Sequence, residues 1–184
     1  MAPRRFPAWL AAFFLSLSLA LGSCASIQLV PAYDEQIDTG LTQLYADTSS
    51  FVDQMIQAAG TPAGTFEQNQ RFYTDSLGKL DALIARAEAN RVLGNCPSTK
   101  LMAKALERIS LPAEVRGQIG TVPQGDCEAV LFRMLRDDFQ DMRELHRLRG
   151  AAGFPPEAHN QFIEGSVGAL MRAAIAVQVA KRAK

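Results

Sequence analysis

The sequence predicts an all-α protein: an antiparallel helical bundle of about four long helices, with a short disulfide-clamped helical excursion. In four long segments, apolar residues recur at steps of three and four, which places them on one face of a helix. No segment shows the sustained alternation of apolar and polar residues that a half-buried strand requires. Short breaks rich in glycine and proline separate the segments, so we expect consecutive helices to lie antiparallel in a bundle.

The N-terminal segment has the pattern of an export signal rather than of a folded element. Arg4 and Arg5 give it a positive start, and an apolar run of thirteen residues extends from Trp9 to Leu21. A helix needs about 20 apolar residues to span a bilayer, whereas the apolar core of a signal peptide has about 7–15. No acidic residue precedes Asp34. Residues 1–23 are therefore predicted to be a signal peptide.

The end of the apolar run, Leu21-Gly22-Ser23-Cys24, resembles the lipobox of bacterial lipoproteins. The resemblance implies that Cys24 is lipidated and becomes the new N-terminus, followed by a tether over residues 24–33 and a domain over residues 34–184. Two alternatives stay open: an ordinary secretory signal cleaved near Ser23 or Ala25, and an uncleaved anchor helix. An aspartate after the cysteine would resemble an inner-membrane retention signal, so Ala25 favours an outer-membrane lipoprotein that faces the periplasm.

The charge of the chain is balanced, which limits its partners. The sequence has 19 basic and 19 acidic residues, and loss of Arg4 and Arg5 with the signal leaves a net charge of −2. Such a chain offers no electrostatic basis for binding nucleic acid. It also lacks the polybasic stretch that makes a second contact with a membrane. We therefore expect no nucleic-acid partner, and contact with the membrane through the lipid anchor.

The first two long helices are predicted over residues 34–59 and from Thr65 to about residue 93. Asp34 is a good N-cap for the first, and Thr65 with Gln68 matches a capping box for the second. The inward-facing residues of the two helices are Ile37, Leu41, Leu44, Phe51, Val52 and Met55, then Phe66, Tyr73, Leu77, Leu80 and Ile84. The aromatic residues Tyr33, Tyr45, Phe66, Phe72 and Tyr73 form either part of the core or the lining of a pocket between these helices.

Residues 96–127 are the least regular part of the chain and form the predicted excursion. Residues 100–109 can make a short helix, and several glycines and prolines follow. Outside the cell's reducing interior, paired cysteines usually form a bridge, so we expect a disulfide between Cys96 and Cys127. Closing a loop of this size stabilises a fold by about 3–4 kcal/mol in the chain-entropy description. Free thiols, or half of a metal site, are the alternatives.

The last two long helices are predicted over residues 128–149 and from about Pro156 to the end. Their apolar stripes are Leu131, Leu135, Phe139, Met142 and Leu145, then Ile163, Val167, Leu170, Ala174 and Val177. Basic residues Lys181, Arg182 and Lys184 close the chain and suit the negative end of a helix.

The domain is also loosely similar to small exported helical proteins of unknown role. These open with a Tyr-Asp-x-x-Ile-Asp-x-Gly-Leu pattern and close with Ala-Lys-Arg. The corresponding residues here are Tyr33, Asp34, Ile37, Asp38, Gly40 and Leu41, then Ala180, Lys181 and Arg182. This similarity implies no activity.

One charged surface stands out, on the helix predicted over residues 128–149. Asp137, Asp141 and Glu144 share one face, and Arg136, Arg143 and Arg147 line the face beside it. The set is either a docking surface for a partner, an acidic site for a cation, or an ordinary solvated helix exterior. Asp138 lies nearer the apolar stripe and is predicted to pair with an arginine from another helix.

No residue is assigned to catalysis, to a metal or to a cofactor. His146 is expected beside the core and His159 in the first turn of the last helix. A catalytic or metal pair of these two histidines, or an enzyme that uses Asp138, His146 or His159, is the less favoured alternative. The Glu-x-x-His pattern of di-iron bundles and the Cys-x-x-Cys-His haem motif are both missing from the sequence. Around Ser166, small residues are expected to let another helix approach closely.

The sequence as a whole favours a lipid-anchored, non-enzymatic scaffold or docking module in the cell envelope, with another envelope protein as its partner. A ligand-binding bundle with a pocket for an apolar or small molecule is the alternative.

Overall fold

A computed structural model describes residues 33–92 and 128–182. Over these two ranges the chain is helical and contains no strand. The predicted signal peptide, Cys24, and the excursion with Cys96 and Cys127 lie outside the described residues.

Within the described residues, four long helices make up the fold, as the sequence predicts. They are α1 (Glu35–Gln57), α2 (Phe66–Val92), α3 (Ala129–Arg149) and α4 (Ser166–Arg182). A short 3₁₀ turn (Pro62–Gly64) joins α1 to α2, another (Gly150–Ala152) follows α3, and a π-helix (His159–Gly165) leads into α4. The predicted all-helical bundle of four helices is therefore confirmed.

The helices pack in a ring, because each contacts its neighbour in sequence and α4 returns to α1. The ion pairs Arg86–Asp34 and Lys181–Glu128 join helix starts to helix ends, so neighbours are antiparallel. The bundle thus has two ends. The tether end holds the start of α1 and the end of α4. The turn end holds both 3₁₀ turns, where Gly60 N–H donates to Ala151 O at 3.1 Å.

The predicted apolar stripes form one core between the four helices. Its largest fully buried side chains are Tyr73, Phe132, Phe139, Phe154, Ile37, Leu41, Leu44, Leu80, Leu131, Leu135, Met142 and Leu170. Leu77, Ile84 and Leu145 are only partly buried and pack against its edge. In α3 the fully buried position next to Leu145 is taken by His146.

The two predicted N-caps have different outcomes. The Asp34 carboxylate accepts from the N–H groups of Gln36 and Ile37, at 3.1 and 3.3 Å, so it caps α1 as predicted. The Thr65 hydroxyl instead donates backwards, to Pro62 O at 2.8 Å. The 3₁₀ turn before α2 offers that carbonyl within reach. Among the described residues, no hydrogen bond from the Gln68 side chain to Thr65 completes the capping box.

The start of α4 differs from an ordinary helix because it is a π-helix. A Cβ built on Gly168 would lie 1.7 Å from Ile163 O, five residues earlier, so only glycine fits here. Arg172 donates to Ile163 O and Glu164 O at 2.8 and 2.9 Å, which satisfies carbonyls of the wide turn. Gly168 therefore serves its own helix, rather than the approach of another helix that the sequence suggested.

Among the residues that the structure describes, one helix is long and apolar enough to cross a membrane by length and composition alone. It spans residues 159–182 with a mean hydropathy of 1.3. Since 61% of that window is buried among the other helices, its apolar character belongs with the core.

Candidate functional site

The outer face of α3 carries the predicted charged surface. Asp137, Asp141 and Glu144 are exposed and follow one another at helical spacing. Glu144 accepts from Arg147 Nε at 2.8 Å, and this hydrogen bond lowers the pKa of the Glu144 carboxyl. Within the described residues, Asp137 and Asp141 make no ion pair.

The arginines of this surface are used by the fold. Arg136 Nε lies 2.7 Å from Asp81 Oδ1 on α2, and the Arg143 guanidinium lies 5.9 Å from the centre of the Phe66 ring, also on α2. Arg147 pairs with Glu144 on its own helix. Three predicted cations thus join α3 to α2 or to itself, and the free charge that remains on this face is acidic.

Asp138 differs from the other acidic residues of α3 because it is partly buried. Its Oδ2 atom is buried and has no hydrogen-bond partner, so the predicted pairing with an arginine is not formed. Burial, together with the charges of Asp141 and Asp137, raises the pKa of Asp138 to about 6. We call Asp137, Asp138 and Asp141 the acidic face. It is a place where an added positive charge would be favourable.

His146 forms a fully buried polar node near the turn end. Its Nε2 lies 2.9 Å from Gly64 O in the first 3₁₀ turn, and its Nδ1 lies 2.8 Å from the Tyr73 hydroxyl on α2. Rings of Phe51, Phe66, Tyr73 and Phe154 surround it, with centroids 4.8–6.2 Å away. The sequence placed this side chain beside the core, and the structure places it inside.

The partners of His146 fix its tautomer. A carbonyl oxygen only accepts, so Nε2 must carry the proton and donate it to Gly64. In the neutral ring Nδ1 then accepts from the Tyr73 hydroxyl. Burial lowers the pKa of His146, and the Gly64 carbonyl and the charge of Glu67 offset only part of this effect. Burial also raises the pKa of Tyr73. Both groups are therefore neutral at pH 7.

His159, the second histidine, is part of a separate and more exposed group. Its Nδ1 lies 2.7 Å from Asp53 Oδ1 on α1, and its Nε2 lies 4.0 Å from Glu164 Oε1. The two histidines make separate contacts rather than a joint site. Within residues 33–92 and 128–182, no group of three or more histidine, cysteine, aspartate or glutamate side chains is placed to hold a metal ion.

A buried ionic cluster joins α3 to α4 at the tether end. Glu128 Oε1 pairs with Lys181 Nζ, and Gln178 Nε2 donates to Glu128 Oε2 at 2.7 Å. All three side chains are almost completely buried, and Gln178 Oε1 has no partner. The sequence indicated only that Lys181 suits the negative end of a helix, and it gave no signal for Glu128 or Gln178.

The terminal motifs of the domain meet at the tether end. Tyr33 donates to Asp38 Oδ2 at 2.8 Å, and Arg182 donates to the same oxygen at 2.7 Å while its guanidinium lies 4.6 Å from the Tyr33 ring. Asp34 binds Arg86 Nε at 2.6 Å and Asn90 Nδ2 at 3.1 Å. The Tyr-Asp and Ala-Lys-Arg patterns therefore have a structural explanation: they close the bundle.

The five aromatic residues considered for a pocket do not line a common space. Tyr33 contacts Arg182, and the Tyr45 hydroxyl accepts from Arg172 at 3.3 Å. Phe66, Phe72 and Tyr73 pack with other core rings, and Phe51 stacks on Phe72 with centroids 3.7 Å apart.

Comparison with known proteins gives this chain no relative: no family model, no curated protein and no solved structure matches it.

Proposed function

We propose that this protein is a lipid-anchored docking module of the cell envelope, and that the acidic face of α3 binds a basic segment of an envelope protein. The observation that carries the proposal is Asp138, whose buried Oδ2 has no partner and whose neighbours Asp137 and Asp141 are acidic and unpaired. A lysine or arginine from a partner would bring a compensating positive charge beside these three carboxylates. The Leu21-Gly22-Ser23-Cys24 lipobox supports the location.

The anchor would also orient the bundle. Tyr33 begins the described domain, and residues 24–32 between it and the lipid reach at most roughly 30 Å when fully extended. The tether end would therefore face the membrane, and the turn end would face away from it. Because α3 runs from one end to the other, the acidic face would be open to a partner from the side.

The excursion follows α2 and precedes α3 in the chain, and the described ends of these two helices lie at the tether end. We propose that a Cys96–Cys127 disulfide closes residues 96–127 into one loop. The loop ends immediately before Glu128, whose carboxylate is held by Lys181 and Gln178. The residue that follows the C-terminal end of the proposed loop is thereby held against α4.

Site-specific photo-crosslinking in the native cells tests the docking proposal. A crosslinking residue replaces exposed Gln140, beside the acidic face, or exposed Ala46 on α1 as the matched control. We expect one protein to be captured from position 140 and not from position 46. Adding Asp137→Asn and Asp141→Asn should remove that product, and raised salt should weaken it, because charge pairs at an interface are screened.

Equal products from both positions, or a product unchanged by Asp137→Asn and Asp141→Asn, would contradict docking through the acidic face.

The anchor is tested separately with Cys24→Ser. We expect this change to release the protein from membranes or to leave it unprocessed, and to abolish incorporation of a labelled fatty acid. Attachment that survives Cys24→Ser, with normal processing, would contradict the lipoprotein assignment. That outcome would not change the interpretation of crosslinking at position 140, because the two tests are independent.

A further inference from the structure

The turn end of the bundle depends on one neutral histidine. Besides the contact between Gly60 and Ala151, the first 3₁₀ turn is joined to α3 by the hydrogen bond from His146 Nε2 to Gly64 O. The second nitrogen of the same ring is joined to α2 through Tyr73. A single side chain thus holds together the turn, α2 and α3.

Protonation would disturb the hydrogen bond with Tyr73, whereas the Nε2–H group could still donate to Gly64 O. An imidazolium donates from both nitrogens, so the Tyr73 oxygen would have to accept and its own proton would have to find a new acceptor. Among the described residues the only partner of the Tyr73 hydroxyl is Nδ1 of His146. The new positive charge would also lie among aromatic rings, without contact with water.

Few charged groups face the ring to offset that charge. From α2 there is Glu67, and from α3 there is Arg143, whose guanidinium lies over the neighbouring Phe66 ring. The contacts from α1, from the first 3₁₀ turn and from the segment after α3 are Phe51, Gly64 and Phe154, and none of these carries a charge. One nearby acid, Glu67, therefore favours the protonated ring, whereas burial and one nearby base, Arg143, disfavour it.

We propose that His146 is an acid-sensitive latch: the protonated ring is buried without water and no longer accepts from the Tyr73 hydroxyl, so protonation favours an open turn end in which the ring leaves Gly64 and reaches water. Opening would expose the aromatic side chains of Phe51, Phe66, Tyr73 and Phe154 on the end of the bundle that lies away from the anchor. The role of this latch in the cell rests on the proposed envelope location, where a protein is exposed to the pH outside the cytoplasm.

The change should be local, because the tether end is held by ionic contacts rather than by His146. Asp34 is bound by Arg86, and the hydrogen bonds to its carboxylate outweigh burial and hold its pKa below the usual value. Glu128 is held by Lys181 and Gln178. No histidine takes part in either group.

Hydrogen exchange of the purified full chain tests the latch without any partner. Exchange is compared at about pH 7.5 and about pH 5, with labelling times corrected for the intrinsic rate. We expect protection of residues 60–66 and 150–154 to fall at the lower pH by up to about thirtyfold, the limit for a ring that has its usual pKa of about 6.5 in the open form and stays neutral in the closed form. Protection of residues 34–41 and 178–182 should change by less than about twofold.

The two histidines of the chain provide matched variants. His146→Phe should remove the pH dependence at the turn end, whereas His159→Gln should leave it unchanged. Retained pH dependence in His146→Phe, or equal protection of the wild-type turn end at both values, would overturn the proposal.

If His146→Phe does not fold, the wild-type ring itself is followed by NMR. We expect an Nε2-protonated tautomer at neutral pH that resists protonation until the turn-end amides open. A ring that titrates at its usual pKa of about 6.5 while those amides stay protected would equally overturn the proposal. Either result is independent of crosslinking at the acidic face.

Discussion

Asp34 has two roles at the first residues of the domain. It caps α1 through two backbone N–H groups, and it binds Arg86 and Asn90 near the end of α2. The cap could be predicted from the sequence, because capping depends on residues next to one another. The contact with α2 could not, since 52 residues separate Asp34 from Arg86.

Asp34→Ala should lower the free energy of unfolding by about 1–3 kcal/mol, because the change removes an N-cap and a partly buried ion pair. Urea denaturation at neutral pH measures the loss. Asp47→Ala, which breaks the exposed pair with Lys79, is the control and should cost less than about 1 kcal/mol. Because the folded pKa of Asp34 is lowered, its contribution is present above pH 3.8 and is lost as the pH falls through the folded value. Equal losses in both variants would contradict this role.

For Asp138 we expect the opposite of the Asp34 effect: replacing its carboxylate should stabilise the fold. Its pKa is raised from 3.8 to about 6, so the folded state prefers the protonated form and loses stability as the pH rises between these values. Asp138→Asn should therefore raise the free energy of unfolding at pH 7 by about 1–3 kcal/mol. The gain should shrink as the pH falls towards 4.

Urea denaturation across that pH range checks the expectation, with Asp137→Asn as the exposed control. If Asp138→Asn is less stable than wild type at pH 7, the carboxylate has a partner and the acidic face is wrongly described. A variant that is more stable but no longer docks would link the stability cost of Asp138 to function.

The helices themselves followed from the sequence more closely than their ends did. Apolar spacing gave four helices and most of the core, because the periodicity of a helix is a local property. The π-helix before α4 was not predicted. Its wide turn depends on Arg172 and Gly168. A glycine within a helical pattern does not reveal, from the sequence alone, which backbone atom will pack against it.

Two glycine-to-alanine changes should have opposite signs. Gly168→Ala would place a Cβ against Ile163 O and should destabilise the fold by about 1–3 kcal/mol. Gly78→Ala, at an exposed position of α2 where a Cβ meets nothing within 4 Å, should stabilise it by about 0.5–1 kcal/mol. Thermal or urea denaturation gives both values. A neutral Gly168→Ala would mean that α4 begins as an ordinary α-helix.

The contact between α3 and α4 supports a second prediction at this scale. Lys181→Met should cost about 3–5 kcal/mol, because it leaves the buried charge of Glu128 without its counterion. Adding Glu128→Gln should recover most of that loss, since two neutral side chains need no counterion and the second can still accept from Gln178. Urea denaturation of the single and double variants measures the coupling. A double variant as unstable as Lys181→Met would show that packing, rather than charge, dominates at this contact.

At the scale of the whole molecule, the two ends of the bundle are stabilised differently. The tether end is held by ionic contacts that join the first and last residues of the domain. The turn end is held by aromatic packing and by His146. This difference between the two ends cannot be seen in the sequence, because each end is assembled from four separate segments of the chain.

The proposed disulfide also acts at this scale. Replacing Cys96 and Cys127 with serine should lower the free energy of unfolding by about 3–4 kcal/mol, through the greater freedom of the unfolded chain. Denaturation with and without a reducing agent measures this, and reduced wild type should match the double variant. If both thiols react freely with a thiol reagent in the unreduced, unfolded protein, no bridge exists.

The sequence by itself determined the helical class, the four long helices, the Asp34 cap and the apolar core, because each depends on spacing within one segment. It also marked the acidic residues of α3, since helical spacing is enough to group them. Only the tertiary structure decided which charges stay free. Arg136 and Arg143 contact α2, Lys181 turns inward to Glu128, and Asp138 is left without a partner. These outcomes depend on residues that are distant in the chain and become neighbours only when the helices pack.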